Sequence, residues 1–171
     1  MIMNCSLLAY GVACILGVAC ATAATAELRP AVPLSAAAVA PYETQLFNLL
    51  MNQRSILDKK NYYQPAFAAQ FDALLASSAL AKADKTRVSL KKRLLSGPAS
   101  AGSVVTDLPS GRQFLYYDAC QAHRCDDTSL GLLFDPVSRR MIGKLNLDKQ
   151  SEYLGAPSDS EKHLLQRAES Q

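Results

Sequence analysis

The stretch Cys120-Gln121-Ala122-His123-Arg124-Cys125 constrains this chain more than any other. It lies between two runs of strand character, residues 112–119 and residues 129–135. A disulfide between the two cysteines would close a ring of about six residues. Strands that meet at a hairpin bring Cα atoms into the window of roughly 4.4–6.8 Å that the bond needs. Chain entropy gives so small a ring only about 2 kcal/mol. That is too little to hold a fold, but enough to hold a loop in one shape with His123 near its tip.

The flanking runs carry the period of a half-buried sheet. Phe114 and Tyr116 share one face of the first run, and Leu115 and Tyr117 share the other. In the second run Leu130, Leu132 and Phe134 fall together, and Asp135-Pro136-Val137-Ser138 fits a type I turn with Pro at its second position. Residues 140–147 alternate again, with Met141, Leu145 and Leu147 on one side. Upstream, residues 103–106 are a short β-branched run, followed by turn chemistry at Leu108-Pro109-Ser110-Gly111. The pattern predicts an antiparallel meander of three or four strands. One face would pack under helices and the other would face water.

Helical periods fill the region before the sheet. One begins at Pro41, which suits a first turn, and Tyr42, Leu46, Leu49, Leu50 and Leu57 mark its apolar face. A second is expected over residues 65–80, with Phe67, Phe71, Leu74 and Leu75 inward. A third covers residues 82–95, either separate or continuing the second with a bend. Ser96-Gly97-Pro98 ends it, Gly97 serving a left-handed cap and Pro98 forbidding continuation. This segment carries Lys82, Lys85, Arg87, Lys91, Lys92 and Arg93 against Asp84. It reads as a solvated face rather than a contact for membrane or nucleic acid. No aromatic residues are interleaved for base stacking, and cations near a helix C-terminus suit its dipole. At the end of the chain, Ser158-Asp159-Ser160-Glu161 is a capping box for a short helix that buries Leu164 and Leu165 and leaves His163 on the surface. The fold class is α+β: an antiparallel meander packed by amphipathic helices, with a short C-terminal helix.

Residues 1–26 contain no charged side chain, and residues 7–19 are an apolar stretch of signal-peptide length. Ala24-Thr25-Ala26 is a small-x-small cleavage site, so export with cleavage after Ala26 is expected, to the periplasm or beyond. A lipoprotein signal ending at Cys20, after Gly17-Val18-Ala19, is the second reading, and a retained membrane anchor the third. With the leader removed, no stable membrane span remains. Residues 27–40, with Pro30 and Pro33, read as a loosely packed Ala/Pro-rich lead-in, and residues 41–171 as one domain. Of the five cysteines, Cys5, Cys14 and Cys20 fall in the leader. The pair left over reads as a disulfide in an oxidising compartment. If the chain is not exported, it reads as two structural thiols.

The net charge of +3 is mild and points to no nucleic-acid partner. There are only two histidines, His123 and His163. The chain has no Gly-x-Ser-x-Gly elbow, no phosphate-cradling glycine loop and no His-Glu-x-x-His, so neither catalysis nor a cofactor is expected. Cys120, His123 and Cys125 are three soft ligands, one short of a closed zinc site, and oxidised cysteines do not ligate; no metal is expected.

The spacing Cys-x-x-His-x-Cys on a strand-to-strand loop resembles the signature of the inhibitor of vertebrate lysozyme family. Leu133-Phe134-Asp135-Pro136 and Met141-Ile142-Gly143 follow at that family's distance, and Tyr153-Leu154-Gly155 comes later. The resemblance covers residues 112–155. The family's usual loop reads Cys-Lys-Pro-His-Asp-Cys; here Gln121, Ala122 and Arg124 stand in place of Lys, Pro and Asp. The resemblance implies a periplasmic or secreted protein with an antiparallel sheet flanked by helices, whose loop histidine enters a lysozyme cleft. It makes residues 41–171 a lysozyme-inhibitor-like domain with lysozyme as its partner. Its inhibitory loop would be Cys120, Gln121, Ala122, His123, Arg124 and Cys125, with His123 the plug and the disulfide its clamp. The alternative is a periplasmic binding or structural protein of the same fold that does not inhibit lysozyme and contacts the cell's own peptidoglycan-cleaving enzymes. Asp107, Asp118, Asp126, Asp127 and Asp135 outnumber Arg112 and Arg124 in the loop-bearing region, a patch suited to a basic partner. Arg124 would either oppose a basic cleft rim or pair with the carboxylates that His123 approaches.

Overall fold

A computed structural model describes residues 33–53 and 64–169. The leader, the lead-in up to residue 32, and Leu57 lie outside the described residues, as does the Leu50 side chain. Five helices precede the sheet: α1 (Ala36–Val39), α2 (Gln45–Gln53), α3 (Pro65–Ser77), α4 (Ala79–Ala83) and α5 (Leu90–Leu94). The strands are β1 (Ser103–Thr106), β2 (Gln113–Cys120), β3 (Thr128–Asp135), β4 (Arg140–Leu147) and β5 (Gln150–Leu154), and α6 (Asp159–Ala168) follows. The fold is α+β, with one antiparallel sheet in the order β1-β2-β3-β4-β5.

The meander has one strand more than the sequence pattern suggests. β5 follows a two-residue turn at Asp148 and Lys149, both with positive φ. That is the conformation a tight hairpin needs, but Lys is not a residue that advertises it. The strand itself, Gln-Ser-Glu-Tyr-Leu, has no apolar alternation to announce it.

The core lies on both faces of the sheet. On one face Leu115, Tyr117, Leu132, Phe134 and Leu145 pack with Leu46, Phe67, Phe71, Leu74 and Leu94. Phe67 meets Phe134 and Tyr117 edge-on, at centroid distances of 5.1 and 5.4 Å. The Tyr117 hydroxyl donates to the Tyr42 carbonyl at 2.7 Å, so the buried phenol is satisfied. The opposite face is not left to water, as the alternation suggests. Phe114, Tyr116, Leu133 and Ile142 are covered by Leu164 and Leu165 of α6. The run Leu130 to Phe134 is apolar at nearly every position, which is how a strand covered on both sides reads.

The helices differ from expectation where side chains compete with the helical ladder. Residues 41–44 form turns and α2 starts at Gln45, because the Tyr42 carbonyl is taken by Tyr117 and by the Gln45 amide. α3 stops at Ser77. Ser78 (ψ 126°) leaves the helix, and its hydroxyl caps α4 by accepting from the Ala81 amide. Glu152, reaching across from β5, accepts from the Ser78 hydroxyl and from the Ala79 and Leu80 amides. The expected third helix is interrupted, since Thr86 donates to Asp84 from both its amide and its hydroxyl, and Ser89 caps α5. The lead-in is docked from residue 34 onward: the Leu34 amide donates to Gln113, and Val39 packs on the core. The capping box of α6 forms as expected, with Ser158 and Glu161 satisfying each other's amides.

Candidate functional site

The site is built at the β2–β3 connection. Cys120, the last residue of β2, is bonded to Cys125, with Cα atoms 4.9 Å apart. Both sulfurs are thus unavailable as thiolate ligands. Among the described residues no group of three or more His, Cys, Asp or Glu side chains is placed to hold a metal. Inside the ring the backbone turns on itself. The Gln121 amide donates to the Thr128 carbonyl, the Arg124 amide to the Gln121 carbonyl, and the Asp127 and Thr128 amides to the Arg124 carbonyl. This places His123 at the tip in the left-handed region, φ 63°, which His tolerates better than most residues. His123 is exposed, and among the described residues its imidazole meets no hydrogen-bond partner.

Two supports hold the loop from outside. The first is α5. Arg93, expected on a solvated face, is only 5 % exposed. Its Nε donates to the Gln121 side chain at 2.8 Å, its Nη2 to the Thr128 hydroxyl at 3.1 Å, and its Nη1 pairs with Asp84 at 2.5 Å. Burial alone would raise the Asp84 carboxyl; hydrogen bonds from Thr86 and the charge of Arg93 outweigh it and hold the group below its ordinary value. Behind the loop, the Ala122 amide donates to the Ser96 hydroxyl and the Cys120 amide to the Pro98 carbonyl. Gly97 is not the left-handed cap that its place after a helix suggests. It is required for close approach, because a Cβ there would stand 2.2 Å from the Cys120 carbonyl oxygen and 2.8 Å from the Ala122 nitrogen.

The second support is the β4–β5 turn. Arg124 Nη2 donates to Asp148 at 2.8 Å and to Asp127 at 3.2 Å, and the Asp148 amide donates to the Asp127 carbonyl. These bonds, that to Asp127 first, raise the guanidinium above its ordinary value. The charge of Arg124 is thus met inside the chain.

The carboxylates divide differently from their order in sequence. Asp107 and Asp135 sit at the far end of the sheet. Asp135 pairs with Arg112 at 2.7 Å, and Asp107 accepts from the Ser110 and Ser160 hydroxyls. At the loop end stand Asp118, Asp126 and Asp127, joined by Asp84 and Asp148. The loop therefore separates two unlike surfaces. On the α5 side is a cleft of about 320 Å³ lined by Lys92, Arg93, Arg124, Gln121 and Val88. On the α6 side is a groove of about 380 Å³ lined by Asp118, Asp126, Tyr116, Glu169 and the disulfide.

All six loop residues named from sequence lie together. The residues that position them, Asp84, Arg93, Ser96, Gly97 and Asp148, come from other elements. Arg93 alone left a trace, standing one turn after Leu90 and beside Leu94 on the apolar stripe of α5. Fold and site together define an α+β protein that presents one clamped, externally braced loop whose tip histidine has no partner among the described residues. Comparison with protein-family models, with curated proteins and with solved structures finds no match to this chain.

Proposed function

We propose that this chain is an exported inhibitor of lysozyme-type glycoside hydrolases, acting through residues 120–125 with His123 as the plug. The observation that carries the reading is the bracing of the loop. A disulfide, the Arg93 fork and the Arg124 pairs hold its base while the imidazole at its tip has no partner among the described residues. Side chains and loops that must be ordered on binding lose affinity, and a loop already held loses less.

The target chemistry suits an imidazole. A lysozyme cleft holds a protonated carboxylic acid and an ionised carboxylate on either side of the scissile bond. A neutral imidazole has one donor and one acceptor, so one ring nitrogen donates to the carboxylate and the other accepts from the acid. Hydrogen bonds to charged groups are worth about 1.5–3 kcal/mol each. Titration into a lysozyme turnover assay should therefore show His123→Ala weaker than wild type by on the order of tenfold to more than a hundredfold. His163→Ala, on an exposed position of α6, should match wild type. Equal inhibition by wild type and His123→Ala, or inhibition by neither, would remove the plug. The chain would then be a binding module of this fold with another partner, such as the cell's own peptidoglycan-cleaving enzymes.

A further inference from the structure

The sheet face under α6 is left open at its loop end. α6 stops at Ala168 with Glu169 as its cap, and beyond it β2, β3 and β4 floor the groove of about 380 Å³. Three carboxylates border it: Asp118, Asp126 and Glu169. Lys144 neutralises Glu169 at 2.6 Å. Among the described residues, Asp118 and Asp126 have no cationic partner. The groove also holds a second feature. Tyr116 is 9 % exposed, its hydroxyl lies against Gly131 beside Glu169, and among the described residues it meets no hydrogen-bond partner. Among the described residues no buried side-chain polar atom lacks a partner, so this hydroxyl is reached by solvent from the groove, and it keeps both its donor and its acceptor for a polar group that displaces that solvent. Burial and the charges of Asp118 and Glu169 push that hydroxyl far above its ordinary value, so it remains a neutral phenol. Among the described residues no three His, Cys, Asp or Glu side chains are placed to hold a metal ion, these carboxylates included. A point cation is therefore a poorer match than an extended organic one.

We propose that this groove receives a guanidinium or ammonium side chain from the rim of the cleft that the His123 loop enters. The identity of the partner rests on the inhibitor reading; the chemistry of the groove does not. Cys120 and Cys125 line the groove as well as closing the loop, so a partner seated over His123 meets Asp118 and Asp126 at once. On the other side of the loop Arg93 and Arg124 are paired with Asp84, Asp127 and Asp148, and of the lining cations Lys92 alone has no carboxylate partner among the described residues. Unpaired carboxylates on one side of the loop and none on the other favour one orientation of a bound cationic partner.

The test uses a lysozyme-free probe first. Acetyl-Gly-Arg-Gly-amide titrated at millimolar concentration into the isotope-labelled protein should move the amide resonances of Tyr116, Asp118 and Asp126 saturably. The citrulline peptide, isosteric and uncharged, should not. Tyr116→Phe, which keeps the packing, and the pair Asp118→Asn with Asp126→Asn should each weaken the response. No saturable shift, an equal shift with citrulline, or a response untouched by the paired substitution would overturn the groove. In the lysozyme assay the paired substitution should weaken inhibition about threefold to tenfold and flatten its salt dependence, as exposed ion pairs do. A wild type that binds the arginine peptide and leaves lysozyme untouched defeats the inhibitor reading and keeps the groove. Inhibition without peptide binding defeats the groove and keeps the inhibitor.

Discussion

Arg93 holds a surface loop from inside the core. Each of three guanidinium nitrogens has its own partner, Asp84, Gln121 and Thr128, and each partner belongs to a different segment. Arg93→Met keeps the stem and leaves Asp84, a half-buried residue still bonded by Thr86, without its cation. Removing one partner of a fully buried pair costs about 3–5 kcal/mol and a half-buried carboxylate loses less, so about 2 kcal/mol is expected in urea unfolding. A double-mutant cycle with Asp84→Asn should return most of that loss as coupling. A single-site loss within about 0.5 kcal/mol of wild type would mean that Arg93 does not brace the loop. The residue was visible on the inner stripe of α5, but its cationic neighbours give the whole segment the look of a solvated face. Gln121 and His123 were legible because the spacing of the cysteines frames them. Ser96 and Asp148 were not, since nothing in a sequence says which distant turn will lie beside a loop.

At the scale of elements, the β2–β3 loop and α6 are tied down by different means. The disulfide ring is small, so Cys120→Ser should lower stability by only about 2 kcal/mol. With the Arg93 and Arg124 contacts still in place, the loop should lose order rather than position, and inhibition should fall more than stability. Unchanged inhibition would separate the clamp from the function. α6 depends instead on Glu161, which is buried and accepts from Arg140 and from the Ser158 amide. Burial alone would raise its carboxyl; the Arg140 and Ser158 bonds reverse that and hold it below its ordinary value. Glu152 at the start of α4, and Asp135, are held low in the same way. A depressed folded-state value means that the unfolded chain binds protons first as pH falls. Stability should be level down to about pH 5, then drop through the ordinary carboxylate range near 4 and below. Glu161→Gln should be less stable at neutral pH by about 1–2 kcal/mol and should show a shallower acid limb, followed by urea midpoints from pH 7 to 3. An acid limb identical to wild type would show that Glu161 is not among the groups that set it. The capping box was readable because all its parts are local. The Glu152 cap on α4 was not, because it spans the fold from β5.

At the scale of the molecule, the sheet is a partition with a core on each side, and its central strands supply both cores. β2 gives Leu115 and Tyr117 to the larger core and Phe114 and Tyr116 to the smaller; β4 gives Leu145 to one and Ile142 to the other. Strand alternation made the sheet and the two sets of residues legible. It did not reveal what covers the smaller set, because Leu164 and Leu165 in a short helix carry no address. The shared strands imply that neither side can melt alone. Leu165→Ala, at a fully buried position of α6, should cost about 2–5 kcal/mol. That loss should reach the whole fold rather than α6 only. The chain has no Trp, so its tyrosines are the aromatic reporters: Tyr117 lies in the larger core and Tyr116 at the edge of the smaller. Near-ultraviolet dichroism of the tyrosines and far-ultraviolet dichroism of the backbone should pass through one coincident transition in wild type and variant alike, shifted to lower denaturant in the variant. An early far-ultraviolet step in Leu165→Ala, with the tyrosine signal intact, would mean that α6 is an appendage and the groove beside it a dispensable edge. A single shifted transition would instead make α6, the groove and the braced loop parts of one cooperative unit, so that a substitution under α6 also alters the loop at the other end of the same strands.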